Sequence, residues 1–379
     1  MKILLKHGHL VLDGNREYLD GAVRIEDGRI VEVFPQTDRI REIDDDLQIC
    51  DLNGSLVMPG FFDTHTHGIG NMCFDSADRK QMDEISKAFA KDGTTSYLAT
   101  LSYDLNEEGF RKQLKELEGY QSPYSRFEGI HMEGPFLSAK YSGAGDPEKF
   151  LPADPEILER FLETSSRIRQ MTLACELPGA KQIAQILHDQ GIRVMCGHSE
   201  AVYDDLDDNV DGFTHLFNAM RGLHHRDQTL VNCAFMNRWH CELIADGTHV
   251  QRNVLKLVLD NIDRDRILLI SDSSPARGMP DGRYTFVSHE CVKKDGVFLN
   301  DEGHLAGSVA SINDEMKVLY ELGAKYTDLL LYSSLNAFRF YGLDRQFGTI
   351  EKGKHADLVV MDDDLNIRRV MLKGEWVDD

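Results

Sequence analysis

The fold is restricted most by a regular alternation, through the middle of the chain, of short apolar segments with amphipathic helical patterns. Eight segments have the composition of buried strands: LVMPGFFDTHTH, TTSYLATLS, FEGIHMEGPF, QMTLACELP, IRVMCGHSE, DGFTHLFNA, HCELIADGTH and DRILLISDSS. Helical periodicity falls between them, at residues 78–91, 107–117, 154–167, 179–190 and 250–261. This alternation predicts an α/β fold, a TIM-like (β/α)8 barrel whose parallel sheet closes on itself. An open, doubly wound sheet is the alternative, because alternation alone does not prove closure.

Both ends of the chain have a different pattern, typical of short antiparallel strands. KILLKHGHLVLDG, GAVRIEDGRIVEVF and LQICDLNGSLVMPG stand at one end, and FGTIEKGKHADLVVMDDDLNIRRVMLKGEWVDD stands at the other. Asp27-Gly28 is a hairpin signal between two alternating runs. Neither end has enough strands to bury a sheet face alone. We therefore predict a small β-sandwich domain from residues 1–57 and 345–379, with the catalytic barrel at residues 58–344.

Charge and cysteine content limit the partners and the compartment. The formal net charge of -22 argues against nucleic acid or an anionic membrane as a partner, and an anionic substrate would need a local basic pocket. The seven cysteines form no Cys-x-x-Cys pair, which indicates free thiols in a reducing compartment. The first apolar run is broken by Lys6 and His7 and is too short for a signal peptide. No run approaches membrane-spanning length, so we expect a cytoplasmic protein.

Ionisable residues stand at the ends of several predicted strands, in a sheet that is otherwise expected to be apolar. They are His65, His67, Glu133, His198, His215, His249 and Asp272. His65 and His67 are two residues apart, so their side chains point to the same face of an extended strand. The active site of a (β/α)8 barrel lies at the carboxyl ends of its strands. Imidazole and carboxylate groups that converge there predict a site for a divalent metal.

Several motifs follow one another along nearly the whole chain: PGFFDTHTHG, HMEGPF, CGHS, THLFNAM, IADGTHV, ISDSSPARGMPDGRY, HLAGS and GTIEKGKHADLVV. On these motifs the chain resembles the amidohydrolase superfamily and, within it, the N-acetylglucosamine-6-phosphate deacetylases. The resemblance implies a metal-dependent hydrolase that converts N-acetyl-D-glucosamine 6-phosphate to D-glucosamine 6-phosphate and acetate in amino-sugar metabolism. Most relatives bridge two metals with a carboxylated lysine on the fourth strand, but MTLACEL has no lysine. Its absence argues against a dihydroorotase or a dihydropyrimidinase.

The resemblance also implies a set of metal ligands. It makes Glu133, His198 and His215 ligands of one metal. His65 and His67 would bind a second metal that shares Glu133. One or two divalent metals per subunit are therefore expected, and this donor set suits zinc, iron or manganese.

Two further residues, Asp272 and His131, belong to the expected site. Asp272 resembles the general base of the family, which would take a proton from water and deliver it to the leaving amine. Its alternative role is a helix cap or a plain metal ligand. His131, two residues before Glu133, is interpreted as a packed histidine that supports the ligands.

The expected contacts with the sugar phosphate also come from the resemblance. They are Ala144, Asn218, Ala219, Arg226, Asp246, His249, Leu305, Ala306 and Gly307. Arg226, with His224 and His225 beside it, would supply the positive charge for the phosphate, because a guanidinium binds phosphate oxygens in pairs. In the family this arginine reaches across a subunit interface, so a homodimer is implied.

Three loops depart from the family pattern. Asp227-Gln228-Thr229 replaces the usual Glu-Pro-Gly after Arg226, and Gly145 stands about where single-metal members place a histidine. GIGNMCFDSA after His67 is also unusual. These loops would shape the sugar pocket, so N-acetylgalactosamine 6-phosphate is an alternative substrate. A different amide is a further alternative, and the remote one is a non-catalytic scaffold, which should have lost the ligands or the base.

Overall fold

Two separate sheets organise the chain, one closed into a barrel and one assembled from both ends of the sequence. The computed structural model describes residues 1–40 and 46–377. Residues 41–45 and 378–379, which belong to the segments predicted for the small β domain, lie outside the described residues.

The strands that precede the barrel form most of the terminal sheet. Within the described residues they are β1 (Lys2–Val11), β2 (Glu17–Glu26), β3 (Arg29–Phe34), β4 (Gln48–Asp51) and β5 (Leu56–Pro59). β1 pairs antiparallel with β2 and parallel with β4 and β5. Asp27 and Gly28 connect β2 to β3 with φ angles of +48° and +77°, as a two-residue hairpin turn requires. The predicted hairpin is therefore confirmed.

The barrel strands coincide with the predicted apolar segments. In chain order, and with the short hairpin β7–β8 that follows the first of them, they are β6 (Phe61–Thr66), β7 (Gly68–Ile69), β8 (Met72–Cys73), β9 (Thr94–Leu101), β10 (Arg126–Glu133), β11 (Ile168–Leu173), β12 (Arg193–Cys196), β13 (Gly212–Phe213), β14 (His240–Leu243) and β15 (Ile267–Leu269). Apart from β7 and β8, neighbours in sequence pair in parallel from β6 to β15. A parallel bridge between Thr66 and Ser273 joins the two edges of this sheet. The barrel is confirmed, and the open, doubly wound alternative is wrong.

Amphipathic helices cover the barrel. They are α1 (Arg79–Lys91), α2 (Glu107–Glu118), α3 (Pro155–Thr164), α4 (Ala180–Asp189), α5 (Leu230–Ala234) and α6 (Arg252–Asn261). The Asp78 and Asn106 side chains cap α1 and α2, each accepting a backbone N–H of the first turn. Between β12 and β13 there is only a 3-10 turn, Tyr203–Asp205, because the run DDLDDNVDG has no apolar stripe to pack. Among the described residues, no helix combines the length and the apolar character needed to cross a bilayer.

A three-stranded antiparallel sheet follows the eighth barrel strand and lies outside the predicted alternation. Its strands are β16 (Gly282–Phe286), β17 (His289–Lys294) and β18 (Val297–Asn300), and we call residues 282–300 the flap. The chain continues through α7 (Ile312–Glu321), α8 (Tyr326–Leu330), a π-helical turn (Leu331–Leu335) and α9 (Asn336–Phe340).

The last strands return to the terminal sheet. They are β19 (Leu358–Met361), β20 (Ile367–Leu372) and β21 (Glu375–Trp376). β19 pairs antiparallel with β5, so the two ends of the chain meet in one sheet with its own buried apolar cluster. This separate sheet of terminal strands supports the small β domain, whose limits of 1–57 and 345–379 remain predictions, as do the barrel limits of 58–344.

Gly60, between β5 and β6, joins the terminal sheet to the barrel and has no room for a side chain. A Cβ atom there would lie 2.1 Å from the Thr95 hydroxyl oxygen and 2.2 Å from the Thr95 methyl carbon. Thr95 is buried and β-branched, so it cannot turn away. We expect Gly60→Ala to lower the free energy of unfolding by about 1–3 kcal/mol, measured by urea denaturation. Gly222→Ala, whose Cβ would have nothing within 4 Å, is the control, and equal losses would contradict the steric explanation.

Candidate metal centre and active-site cavity

The first group of candidate ligands lies where β6 ends. His65 and His67 both face Glu133, the last residue of β10. The Nε2 atom of His65 lies 3.6 Å from Glu133 Oε1, and that of His67 lies 3.2 Å from Glu133 Oε2. All three side chains are buried, and one ligand atom from each lies within 4.8 Å of the others. The two-residue spacing has brought two imidazoles to one carboxylate.

A second group shares that carboxylate. His198 follows β12 and His215 follows β13, and their Nε2 atoms lie 3.0 and 3.1 Å from Glu133 Oε1. The two Nε2 atoms are 3.1 Å apart. His198 Nδ1 lies 3.0 Å from the Tyr141 carbonyl oxygen, so Nδ1 carries the hydrogen and the neutral ring keeps a lone pair on Nε2. Glu133 is therefore the common member of both groups.

The backbone is strained at three residues of this rim. The φ angles of His198, His215 and Asp272 are +47°, +27° and +45°, in a region that residues other than glycine rarely occupy. Such conformations cost about 1–3 kcal/mol each and concentrate at functional sites. The strain is an observation that does not depend on residue type. It supports a functional site at this rim, rather than polar residues at strand ends that merely have hydrogen-bond partners.

Asp272 borders the first group of ligands. Its Oδ1 atom lies 3.3 Å from His67 Nε2 and 3.6 Å from His65 Nε2. Its N–H donates to the His65 carbonyl at 2.9 Å, and its own carbonyl accepts the Ser308 N–H at 2.7 Å. Hydrogen bonds on both sides therefore fix the position of this carboxylate.

The charges of the site balance one another. Burial acts to lower the pKa of His67, but hydrogen bonds to Asp272 and Glu133 raise it to about 9. Burial also acts to lower the pKa of His65, but the negative charges of Glu133 and Asp272 raise that pKa well above its usual range. Burial acts to raise the pKa of Glu133, but the charge of His65 and hydrogen bonds from neighbouring histidines hold it well below its usual range. Without a cation, protonated imidazoles neutralise the carboxylates.

The same donor set fits a divalent cation. Among the described residues His65 Nε2 is buried without a hydrogen-bond partner, while His198 and His215 direct their Nε2 atoms at one another. Buried polar atoms in such positions cost free energy unless a partner satisfies them. Imidazole nitrogen and carboxylate oxygen are ligands for transition metals such as zinc, iron and manganese. Each group therefore accommodates a cation, in keeping with the expectation of one or two.

His131 supports the ligands from behind. Its ring lies 4.5 Å from the His65 ring, centre to centre. Its Nδ1 and Nε2 atoms lie 3.2 and 2.9 Å from the hydroxyl oxygens of Thr100 and Thr172. Because both ring nitrogens are engaged, the geometry favours the packed, supporting role over a role as a ligand.

Glu242 is a site residue that the sequence analysis missed. This carboxylate on β14 is fully buried, and its Oε2 atom lies 3.2 Å from His65 Nδ1. Its other oxygen accepts a hydrogen bond of 2.7 Å from Gln170 Nε2. A carboxylate behind a metal-binding histidine orients the ring and makes it more basic. The available signal was a lone charge inside HCEL, a strand expected to be apolar on both faces.

A cavity of about 450 Å³ opens onto the rim. Predicted residues in its wall are His67, Ala144, Asn218, Ala219, Leu305 and Gly307, together with Glu133, His198, His215 and Asp272. Lining residues that were not predicted include Tyr103, Lys140, Phe286 and His304. They lie in loops or in the flap, where the rule that sites form at strand ends gives no signal.

Five predicted residues are not part of that wall: His65, Arg226, Asp246, His249 and Ala306. His65 is buried against Glu242, and Ala306 belongs to the apolar cluster under the flap. His249 Nδ1 lies 2.7 Å from Asp246 Oδ2, while its buried Nε2 has no partner among the described residues. Arg226 is exposed on its loop, so within a single chain the structure does not bring it to the cavity.

Comparison with known proteins gives consistent relatives. A model of the amidohydrolase family matches residues 56–377. The chain is 31% identical over 366 residues to N-acetylgalactosamine-6-phosphate deacetylase of Escherichia coli O157:H7, with 94% of each chain covered. It is 31% identical over 386 residues to N-acetylglucosamine-6-phosphate deacetylase of Bacillus subtilis (strain 168), with 98% and 96% covered. A mutant N-acetyl-D-glucosamine-6-phosphate deacetylase from Mycobacterium smegmatis, solved with N-acetyl-D-glucosamine-6-phosphate, matches with a TM-score of 0.91, 28% identity and full coverage of both chains.

Replacing Glu242 with glutamine tests its support of His65. The variant removes the carboxylate that accepts from the imidazole, so we expect the affinity for a divalent metal to fall about 10- to 100-fold. Competition with a chelator measures this affinity without reference to catalysis. Glu290→Gln changes an exposed glutamate of the flap and is the control. Equal affinities in the two variants would contradict the role of Glu242.

Metal binding is expected to release protons. Because the pKa of His67 is about 9 without metal, the imidazole is protonated near neutral pH and must lose that proton before it can bind a cation. The apparent affinity for Zn²⁺ should therefore rise as the pH increases from neutrality toward 9. Calorimetric titration in two buffers with different heats of ionisation counts the released protons. Binding near neutral pH without proton release would contradict this assignment.

Proposed function

We infer that this chain, which belongs to the amidohydrolase family, removes the acetyl group of N-acetyl-D-glucosamine 6-phosphate to give D-glucosamine 6-phosphate and acetate. The observation that carries the proposal is the shared carboxylate, Glu133, with two imidazoles on each side and Asp272 beside it. The relatives described above act on N-acetylated hexosamine phosphates and match almost the whole chain. The chain is therefore a metal-dependent hydrolase, and the sugar phosphate is its proposed substrate.

The proposed metal ligands are the two groups that share Glu133. Glu133, His198 and His215 would hold one cation, and His65 and His67 would hold a second against the same carboxylate. We propose zinc, iron or manganese, because these metals accept mixed imidazole and carboxylate ligands. When bound, such a cation supplies a water whose pKa is near 7 and polarises the acetamide carbonyl.

Asp272 is the proposed general base. Burial acts to raise its pKa, but the charge of His65 and the hydrogen bond from His67 lower it, so the carboxylate is ionised at neutral pH. It can accept the proton of the attacking water while the oxygen adds to the carbonyl carbon. The same carboxyl group then gives the proton to the nitrogen as the C–N bond breaks. Its position beside His67 places the carboxylate next to the proposed metal ligands.

The rest of the cavity would bind the sugar phosphate. Asn218, Ala219 and Leu305 line it, with Ala144 and Gly307. Lys140 also lines the cavity, and its ammonium donates to Glu200 at 2.6 Å. The Glu200 carboxylate balances this charge, so a phosphate group would have to compete with Glu200 for the ammonium.

Arg226 has a different proposed place. Because the arginine is exposed and does not itself line the cavity of its own chain, we propose that it serves the cavity of a second subunit in a homodimer. Asp246 and His249 would also contact the substrate, because the buried Nε2 atom of His249 has no hydrogen-bond partner among the described residues and is available to a ligand.

N-Acetyl-D-galactosamine 6-phosphate is the second candidate substrate. The Escherichia coli relative that bears this activity in its name is as similar to the chain as the glucosamine deacetylase of Bacillus subtilis, with 31% identity in both comparisons. The unusual loop after His67 and the glycine at position 145 support this epimer as an alternative substrate. The two substrates differ only at C4, so the chemistry of the rim would be unchanged.

Acetate release from both epimers, by the native enzyme and Asp272→Asn, tests the function. We expect the native enzyme to prefer the gluco substrate. The variant should lose about 10²–10⁴-fold in kcat while retaining its metal, because it keeps the shape of the side chain but not the base. Metal is counted in the same samples. Activity on the galacto epimer alone would make that epimer the substrate. If the native enzyme holds metal but releases acetate from neither epimer, the proposed substrate is refuted.

A further inference from the structure

Phe286, at the end of the first flap strand, lies against the reacting end of the cavity. Its side chain is 5% exposed and lines the cavity. Its ring centre is 5.3 Å from that of His67, with the rings nearly perpendicular at 67°. His67 in turn contacts both Glu133 and Asp272. An apolar ring therefore borders the polar groups where the amide would be cleaved.

We propose that Phe286 sets the size of the acyl group that the enzyme removes, by closing the cavity beyond the acetyl methyl group. This inference rests on the proposed deacetylase function and deepens it. The methyl group is the apolar end of the acetamide, and it gains by contact with an apolar surface. Phe286 is the flap side chain that supplies such a surface next to His67.

Tyr103 is another aromatic ring of the wall, and it belongs to the same buried apolar cluster as Phe286. Tyr103 has its ring centre 4.9 Å from that of His198, and Gly145 packs so closely on it that a Cβ would lie 2.1 Å from its ring. Tyr103 therefore borders the group formed by Glu133, His198 and His215. Phe286 borders the group that includes Asp272, the proposed base. Phe286 is thus placed against His67, the imidazole that contacts the proposed base Asp272.

Phe286 cannot retreat, because the flap behind it is packed. Its ring lies 6.5 Å from that of Phe298 on β18, and both belong to a buried apolar cluster with Cys291 and Leu137. Protein interiors are packed at the density of organic crystals, so an added methylene is felt as a collision.

The flap tip is also held by polar contacts. Val287 and Ser288 form the turn after Phe286 with φ angles of +42° and +59°, and the first of these is strained for a β-branched residue. Lys149 Nζ donates to Asp104 Oδ1 at 2.9 Å and to Ser288 Oγ at 2.5 Å. The Ser288 hydroxyl donates to the second Asp104 oxygen. We call these three residues the latch, and they are positioning residues for Phe286.

The test compares N-acetyl, N-propanoyl and N-butanoyl forms of glucosamine 6-phosphate. The measured quantity is the ratio of kcat/KM for the acetyl substrate to kcat/KM for each longer one. The native enzyme should prefer acetyl by about 10- to 200-fold over propanoyl, the usual effect of one methylene in a close pocket. In Phe286→Ala this ratio should fall about tenfold or more, and in Phe286→Leu by an intermediate amount.

The ratio separates a specificity role from a structural one. Loss of active protein changes both rates equally and leaves the ratio unchanged. If the alanine variant does not fold, the ratio measured for Phe286→Leu decides the test. Ser288→Ala, which loosens the latch, should lower the ratio with metal content retained. Val292→Ala, on an exposed position of the same flap, is the matched control and should leave the ratio as it is.

Each outcome bears on a different claim. If the native enzyme releases no acetate from either epimer, the proposed function fails and the role of Phe286 fails with it. If it releases acetate but both Phe286 variants keep the native ratio, the role of Phe286 alone is refuted. A lower ratio in both variants, with no change in Val292→Ala, supports Phe286 as the stop for the acyl group.

Discussion

The site depends on the burial of one carboxylate among imidazoles. A buried charge is costly unless it is paired, so Glu133 requires positive or cationic partners at the carboxyl ends of several strands at once. The register of β10 supplies this arrangement, since it pairs with β9 on one side and β11 on the other and sets Glu133 opposite Thr172. A shift of one residue would turn the carboxylate to the opposite face of the strand. The closed barrel is thus what makes a single residue available to four histidines.

Different parts of the chain contribute different properties to the cavity. The ends of the barrel strands carry the proposed metal ligands and the proposed base, and neighbours such as Glu242 hold them in place by accepting hydrogen bonds. Loops and the flap carry Tyr103, Lys140 and Phe286, which line the cavity where the proposed substrate would bind. This separation is the usual property of (β/α)8 enzymes, in which the rim retains its chemistry while the loops change the substrate. It also explains why close relatives of one fold carry the names of two epimeric substrates.

The fold and the convergence of the candidate ligands could be predicted because both follow from local pattern. Alternating strands and helices indicated the barrel, and polar residues at strand ends indicated His65, His67, Glu133, His198, His215 and Asp272. Glu242 was missed because its partner, His65, is 177 residues away in sequence. The flap was missed because it lies outside the alternation, and with it Phe286. Arg226 and Lys140 show the remaining limit, since no sequence pattern tells which basic loop residue turns toward its own cavity.

The pairing of β5 with β19 has a consequence for how the protein is made. Ribosomes add about 5–20 residues per second, so Pro59 emerges tens of seconds before Leu358, its partner in the sheet. During that interval β5 offers an uncovered hydrogen-bonding edge, which invites pairing with other chains. The barrel can assemble first, because its neighbours in space are neighbours in sequence. The last step of folding during synthesis would then be the pairing of β19 with β5, which completes the terminal sheet after the barrel has formed.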